Sequence, residues 1–303
     1  MNSRFHSNSI KPTATTAQPV GQDGNLRGIG NPTVESKPNW FLLLSITLLA
    51  IALPLAAQVP FNPSGNPGAG AGRGGRGGRG GRGPAPTAKA AAPIDMTGYW
   101  VSVVTEDWKF RMVMPKKGNF AGVPLNQEGR KAAAAWDPAK DTADGNQCRS
   151  YGAAGLMRVP GRLHITWDND TTMKVETDAG TQTRLFRFGS KEPASEAPSW
   201  QGYSIAEWEP ATTGRGQPKE GDLKVVTNHL LSGYLRKNGA PYSANTVLTE
   251  YYDRISAPNG DEWLVVTTEV SDPQYLSSPF ITSTHFKKQA DAKGWAPEPC
   301  SAN

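Results

Sequence analysis

The stretch Arg162-Leu-His-Ile-Thr-Trp-Asp168 alternates apolar and polar side chains, with Leu163, Ile165 and Trp167 on one face and His164, Thr166 and Asp168 on the other. A period of two is that of a β-strand with an apolar face and a polar face. Working outward, the same period recurs in Met173–Thr177, Thr183–Phe188, Tyr203–Glu209, Asp222–His229, Thr246–Ile255, Glu262–Val270 and Phe280–Lys287, and upstream in Tyr99–Thr105. These runs are rich in Val, Thr, Tyr, Trp and Phe and are separated by Gly, Pro, Asn and Asp clusters. Their close spacing, through turns such as Asp168-Asn169-Asp170 and Pro258-Asn259-Gly260, predicts hairpins rather than helical crossovers. About nine strands paired in sequence order predict an all-β fold, an antiparallel up-and-down barrel of about 8–10 strands, in which closure removes aggregation-prone edges.

One helix is expected, at Asn126–Trp136, where Asn126 can cap, Lys131-Ala-Ala-Ala-Ala135 favours helix and Pro138 stops it. The barrel domain is drawn at 94–303. Residues 1–39 are rich in Ser, Asn, Thr, Pro and Gly and read as a disordered lead, or as sequence upstream of a true start near Val34. Trp40–Ala57 carries no charge, follows Lys37 and ends in Leu55-Ala56-Ala57. That is the layout of a signal peptide cleaved near Ala57, with a retained membrane anchor as the alternative. Residues 58–93 contain Arg73, Arg76, Arg79 and Arg82 spaced every three among glycines and read as a flexible linker.

The formal net charge of +5 belongs to the tail. Residues 1–83 hold 8 of the 32 basic and 2 of the 27 acidic side chains, leaving 24 basic and 25 acidic for the rest. The near-neutral domain gives no support for a nucleic-acid partner. The two cysteines, Cys148 and Cys300, have neither zinc nor redox spacing; an exported location permits a disulfide between them, with two free thiols as the alternative. No G-x-S-x-G elbow, P-loop or dinucleotide fingerprint appears, and no pair of histidines has short metal-ligand spacing, so no metal and no cofactor are expected.

Functional groups are sought on inward strand faces, because a barrel of this size holds side chains or one small ligand. His164 and Asp168 share a face, about 13 Å apart along the strand. Lys174, Glu176 and Arg184 follow on the next two strands, and Glu250 and His285 sit within later ones. A ladder of opposite charges on a solvated outer face would account for the first of these without any site.

The run Met157-Arg-Val-Pro-Gly-Arg162-Leu-His-Ile-Thr-Trp-Asp168, with Trp200-Gln-Gly-Tyr-Ser204, Glu207-Trp208-Glu209, Gly239-Ala-Pro-Tyr-Ser243, Glu250-Tyr-Tyr-Asp-Arg254 and Val270-Ser-Asp-Pro273, resembles a group of uncharacterised exported bacterial proteins. The resemblance implies a lipocalin-like barrel, export, and pairing of Cys148 with Cys300; it implies no reaction. The chain departs from the group's pattern by an insertion, Pro210–Glu220, before Gly221-Asp222.

The expected function is that of a periplasmic or secreted barrel protein binding a small apolar or aromatic ligand, with His164, Asp168, Arg184, Glu250 and His285 as candidate contacts. If the 40–57 segment is uncleaved, the domain is membrane-anchored outside the cytoplasm. A cofactor-independent lyase, isomerase or hydrolase using a His–carboxylate pair is the alternative, and a structural envelope protein a third. Oligomeric state is not readable from the sequence.

Overall fold

The structure, a computed structural model, describes residues 84–191, 195–211 and 221–302. The lead 1–39, the apolar segment 40–57, the Gly/Arg repeat of the linker and residues 212–220 of the insertion lie outside the described residues.

Nine strands close into a barrel: β1 (Gly98–Ser102), β2 (Arg162–Asn169), β3 (Thr172–Thr177), β4 (Gln182–Phe188), β5 (Tyr203–Pro210), β6 (Gly221–Asn228), β7 (Val247–Ser256), β8 (Glu262–Ser271) and β9 (Phe280–Gln289). Each pairs with the next in sequence, and β1 closes the ring by pairing with both β2 and β9. Each run with period-two spacing forms one of these strands.

The expectation of antiparallel pairing throughout needs one correction. A closed ring with an odd number of strands cannot alternate direction everywhere, and here the exception is β4 with β5, which run parallel through Phe186↔Ser204, Arg187↔Ile205 and Phe188↔Ala206. The connection 189–202 therefore returns the chain to the end from which β4 started. It ends on Gly202, whose φ of +61° and close approach to the Asn228 carbonyl (2.3 Å from an ideal Cβ) leave no room for a side chain.

The interior is packed. Trp100, Leu163, Ile165, Met173, Val175, Phe186, Leu223, Val225, Tyr252, Leu264, Val266 and Phe286 are fully buried within it. This settles the orientation of β2: Leu163 and Ile165 face in, and His164 and Thr166 face out. One end is closed by Trp167, Phe188 and Trp208, with ring centroids 5.2–6.5 Å apart, and by a turn of helix, Ala88–Ala91, whose Ala88 carbonyl accepts from Trp208 Nε1 at 2.9 Å. The opposite end, where β1 finishes and β2 starts, is covered by a second apolar cluster built on Leu125, Ala133, Ala153, Leu235, Tyr242, Leu248 and Phe280.

That cap corrects the expectation of a single helix. The helix centred on the alanines is present at Gln127–Ala134, with the Asn126 side chain accepting from Gly129 N at 2.8 Å. Pro138, however, opens a second helix, Pro138–Ala143, at a position where its missing N–H costs nothing, and Asp137 caps it. Short turns at Trp108–Arg111, Gln147–Tyr151 and Ala153–Leu156 and a hairpin, Gly233–Arg236 with Ala240–Tyr242, complete the cap. The hairpin turns at Gly239, with φ +84° and the Trp136 ring 2.3 Å from where a Cβ would stand.

Cys148 and Cys300 are bonded, with Cα atoms 5.0 Å apart and a sequence separation of 152. The bond ties the C-terminal tail to the cap; beside it Glu298-Pro299 pairs with Ala179-Gly180.

Candidate functional site

Of the five candidate residues, the structure brings two together. Arg184 on β4 and Glu250 on β7 lie 66 residues apart in sequence and meet inside the barrel, both fully buried. Two parallel hydrogen bonds join them, Nη1 to Oε1 at 2.9 Å and Nη2 to Oε2 at 2.6 Å. Arg184 Nη2 also donates to Thr227 Oγ1 at 3.1 Å, Thr227 shares a 2.7 Å hydrogen bond with Ser204, and the Tyr252 hydroxyl donates to Glu250 Oε1 at 3.2 Å. Burial opposes the charge on Arg184, but the Glu250 carboxylate outweighs it and holds the guanidinium above its ordinary pKa. Burial and the same carboxylate push the Tyr252 hydroxyl well up. A fork-to-fork pair so enclosed acts as a fixed internal strut, joining two non-neighbouring strands across the lumen.

The other three lie on the outer wall. His164 stacks on Tyr99 (centroids 4.1 Å apart, planes 5° apart), and its Nδ1 is 3.2 Å from Glu176, which Lys174 also reaches at 3.2 Å. These residues form a cross-strand charge ladder. Asp168 is exposed near the end of β2, where Asn169 donates to it at 3.3 Å. His285 faces out from β9 and meets Glu106 Oε2 at 3.1 Å and Thr105 Oγ1 at 3.2 Å.

Glu106 leads to a site the strand pattern does not contain. Its other oxygen, Oε1, pairs with Arg111, which also donates from Nε to the Arg158 carbonyl at 3.0 Å. Arg158 Nη2 donates to Asp107 at 2.9 Å, and Arg236 Nη1 to the Ala121 carbonyl at 2.7 Å. All three guanidinium side chains belong to buried residues, and they line one cleft of about 40 Å³ in the cap, with Phe110, Met114, Ser150, Gly155, Leu235 and Lys237. Local structure fixes each of them. The short helix Trp108–Arg111 turns Arg111 inward, Phe110 lies 4.4 Å under the Arg236 guanidinium, and Arg158 and Arg236 both lie over the Phe280 ring, at 5.7 and 5.9 Å.

The electrostatics of this cleft are unbalanced. Three guanidiniums stand against two carboxylates, Glu106 and Asp107. Burial, followed by the like charge of Arg158, pushes Arg111 down to about 10, and the same two causes push Arg236 down to about 10. Burial lowers Arg158 as well, against the pull of Asp107. All three stay charged at neutral pH, so their repulsion is a standing cost that an anion between them would relieve. Arg158 Nη1 and Arg236 Nε are moreover buried without a hydrogen-bond partner among the described residues.

The period-two pattern could not find this cleft, because its arginines sit between strands and are far apart in sequence. One signal was available: Trp108-Lys-Phe-Arg-Met-Val-Met114 is an apolar and cationic run that no strand or predicted helix absorbs.

Among the described residues, no group of three His, Cys, Asp or Glu side chains is placed to hold a metal ion, and no helix is long and apolar enough to cross a membrane. No protein-family profile, curated protein or solved structure matches this chain.

Proposed function

We propose that the protein binds a small anionic ligand, bearing a carboxylate or phosphate, in the arginine-lined cleft of the cap. The observation that carries this reading is the pair of buried, unpartnered guanidinium nitrogens, Arg158 Nη1 and Arg236 Nε, in a cleft where cations outnumber carboxylates. Guanidinium forks suit planar or tetrahedral oxyanions, and charge-assisted hydrogen bonds of this kind are about twice as strong as neutral ones. Phe110, Met114 and Leu235 add an apolar flank, and the volume of about 40 Å³ suits a small oxyanion group. This relocates the expected apolar-ligand site: the lumen is occupied by Trp100, Phe186, Tyr252 and Phe286, and the cap offers both charge and apolar surface.

The same proposal places the domain outside the cytoplasm, as the layout of 40–57 and the resemblance to exported proteins suggest. The Cys148–Cys300 bond supports it, because structural disulfides belong to oxidising compartments.

Isothermal titration of the full chain with inorganic phosphate and with a series of small carboxylates tests the site. Wild-type protein binds with an affinity that falls as salt rises, and Arg158→Met and Arg236→Met each weaken binding by about tenfold or more, the loss of one charge-assisted hydrogen bond. Equal heats from wild type and the double variant, or none from wild type, would reject the reading.

A further inference from the structure

Beside the cleft, the segment 107–117 presents a face that none of the described residues covers. Trp108, Met112, Val113 and Met114 are 59%, 61%, 57% and 44% exposed, a run of large apolar side chains in consecutive turns of one loop. The loop is fixed from beneath by Arg111 and Pro115, both buried, and by Phe110 against the Arg236 guanidinium. Its outward direction is therefore set by the fold. Lys109, Lys116 and Lys117 stand among the apolar residues and are exposed, with Lys117 Nζ donating to the Trp136 carbonyl at 2.5 Å. The one acid of the segment, Asp107, and Glu106 just before it are neutralised by Arg158 and Arg111. The exposed charge of the loop is cationic.

We infer that this loop docks the domain onto an anionic lipid bilayer. The composition fits that occupant. Tryptophan prefers the headgroup level, where its ring is half in hydrocarbon, and methionine and valine fit below it. The three lysines lie where lipid phosphates would be, and basic residues at that depth each add to binding of anionic membranes. A protein partner would need a complementary acidic surface and a fixed shape; a bilayer needs only the apolar prongs and the cationic ring, both of which are present. The inference rests on different groups from the anion-binding reading: the lysines and Trp108, Met112 and Val113 are not in the cleft, and Met114 borders both surfaces.

The test uses the full chain with vesicles whose acyl chains carry bromine, a quencher of tryptophan emission at short range. The emission of Trp108 is isolated as the difference between wild type and Trp108→Phe, so other attachments of the chain to the vesicle cancel. On vesicles rich in phosphatidylglycerol, the Trp108 component is quenched; on phosphatidylcholine alone, it is not. Lys109→Glu, Lys116→Glu and Lys117→Glu together weaken the association read by this quenching by about 100-fold or more, from roughly fivefold per lysine. An unquenched Trp108 on phosphatidylglycerol would overturn the inference, and equal quenching on both lipids would overturn its anionic part. Concentration-dependent dimer formation with Trp108 shielded from lipid would assign the surface to a second copy instead. Phosphate titration of the same triple-lysine variant separates the two ideas: the cleft retains its binding if only the docking face has been altered.

Discussion

Replacing Glu250 by Gln tests whether the buried ion pair holds the barrel together. In the wild type, each guanidinium nitrogen of the Arg184 fork meets a Glu250 oxygen, at 2.9 and 2.6 Å, and both side chains are fully buried. Glutamine keeps the size and one accepting oxygen but removes the countercharge, leaving a cation in the lumen with no opposite charge to face. Breaking such a pair from one side costs about 3–5 kcal/mol; the retained amide oxygen puts this variant near the lower end. Arg184→Met strands the carboxylate in the same way. In the double variant Arg184→Met with Glu250→Leu, no charge remains to be stranded, and apolar side chains of similar length fill the space. The residual cost is the Tyr252 hydroxyl, which loses its acceptor, at about 1–3 kcal/mol. The double variant is thus more stable than either Arg184→Met or Glu250→Leu alone, the two single variants that close the cycle, with a coupling energy of at least about 3 kcal/mol. Urea unfolding monitored by tryptophan emission, with unchanged slopes, provides the three free energies. If the single costs add to the double within about 0.5 kcal/mol, the two residues do not form the strut described and the argument fails.

Reduction of Cys148–Cys300, or replacement of both by Ser, releases a loop of 152 residues. By the chain-entropy argument this costs about 5 kcal/mol and lowers Tm by roughly 10–20 °C, and a fall of under about 3 °C would contradict it. Gly239→Ala forces a Cβ to within 2.3 Å of the Trp136 ring at positive φ, and a loss of about 2–3 kcal/mol is expected in urea unfolding, against no more than about 1 if the hairpin simply shifts. Burial and then the neighbouring Asp222 carboxyl raise Asp253 to about 6 from an ordinary 3.8. A raised folded pKa gives stability that is present below about 4 and lost as pH climbs through 6, by less than about 1 kcal/mol once solvent screening is allowed for. Asp253→Asn should flatten that slope, and identical slopes between pH 4 and 7 would remove the Asp222–Asp253 pair as its source. In a thermal scan without added anion, Arg236→Met should match or exceed wild type in Tm, because it relieves like-charge repulsion, and phosphate should raise the wild-type Tm only. A variant that melts well below wild type would show instead that Arg236 serves chiefly the packing of Phe110 and Phe280.

The strands were legible in the sequence because a packed lumen imposes a period of two on every wall residue, and Val, Thr and aromatic side chains satisfy it. What the period cannot convey is which face turns inward. For β2 the apolar set lies inside, yet for β4 the inward set is Arg184, Phe186 and Phe188, a charged residue in register with two aromatics. Nothing local distinguishes Arg184 from an outer-wall arginine such as Arg187. Its partner lies 66 residues away, and only the closure of the ring brings β4 opposite β7. The parallel β4–β5 contact is equally non-local, because it follows from the parity of the strand count and from closure, neither of which any window of sequence contains. His164 and Asp168 alternate with apolar residues, a pattern that a solvated ladder produces as readily as a site does.

The chain is distributed unevenly around this barrel, and the distribution bears on where ligand chemistry can reside. The connections 170–171 and 257–261 at one end are tight turns, whereas 103–161 and 229–246 both leave from the other end and together form the cap. A lumen filled by large side chains and crossed by an ion pair has no freedom to admit a ligand without losing packing energy. A rigid frame can nevertheless hold mobile or irregular segments in fixed relation to each other. Arg111 comes from the first long connection, just after β1; Arg158 precedes β2 at its far end; and Arg236 comes from the hairpin of the second. Three cations that would separate in a flexible chain are held together by the strands at whose ends they stand, by Phe280 beneath two of them, and by the disulfide at Cys148, next in sequence to Arg149 and the cleft residue Ser150. The apolar core thus offsets the repulsion of the arginines, and the protein retains a concentrated positive potential that self-assembly of the cap alone would not sustain.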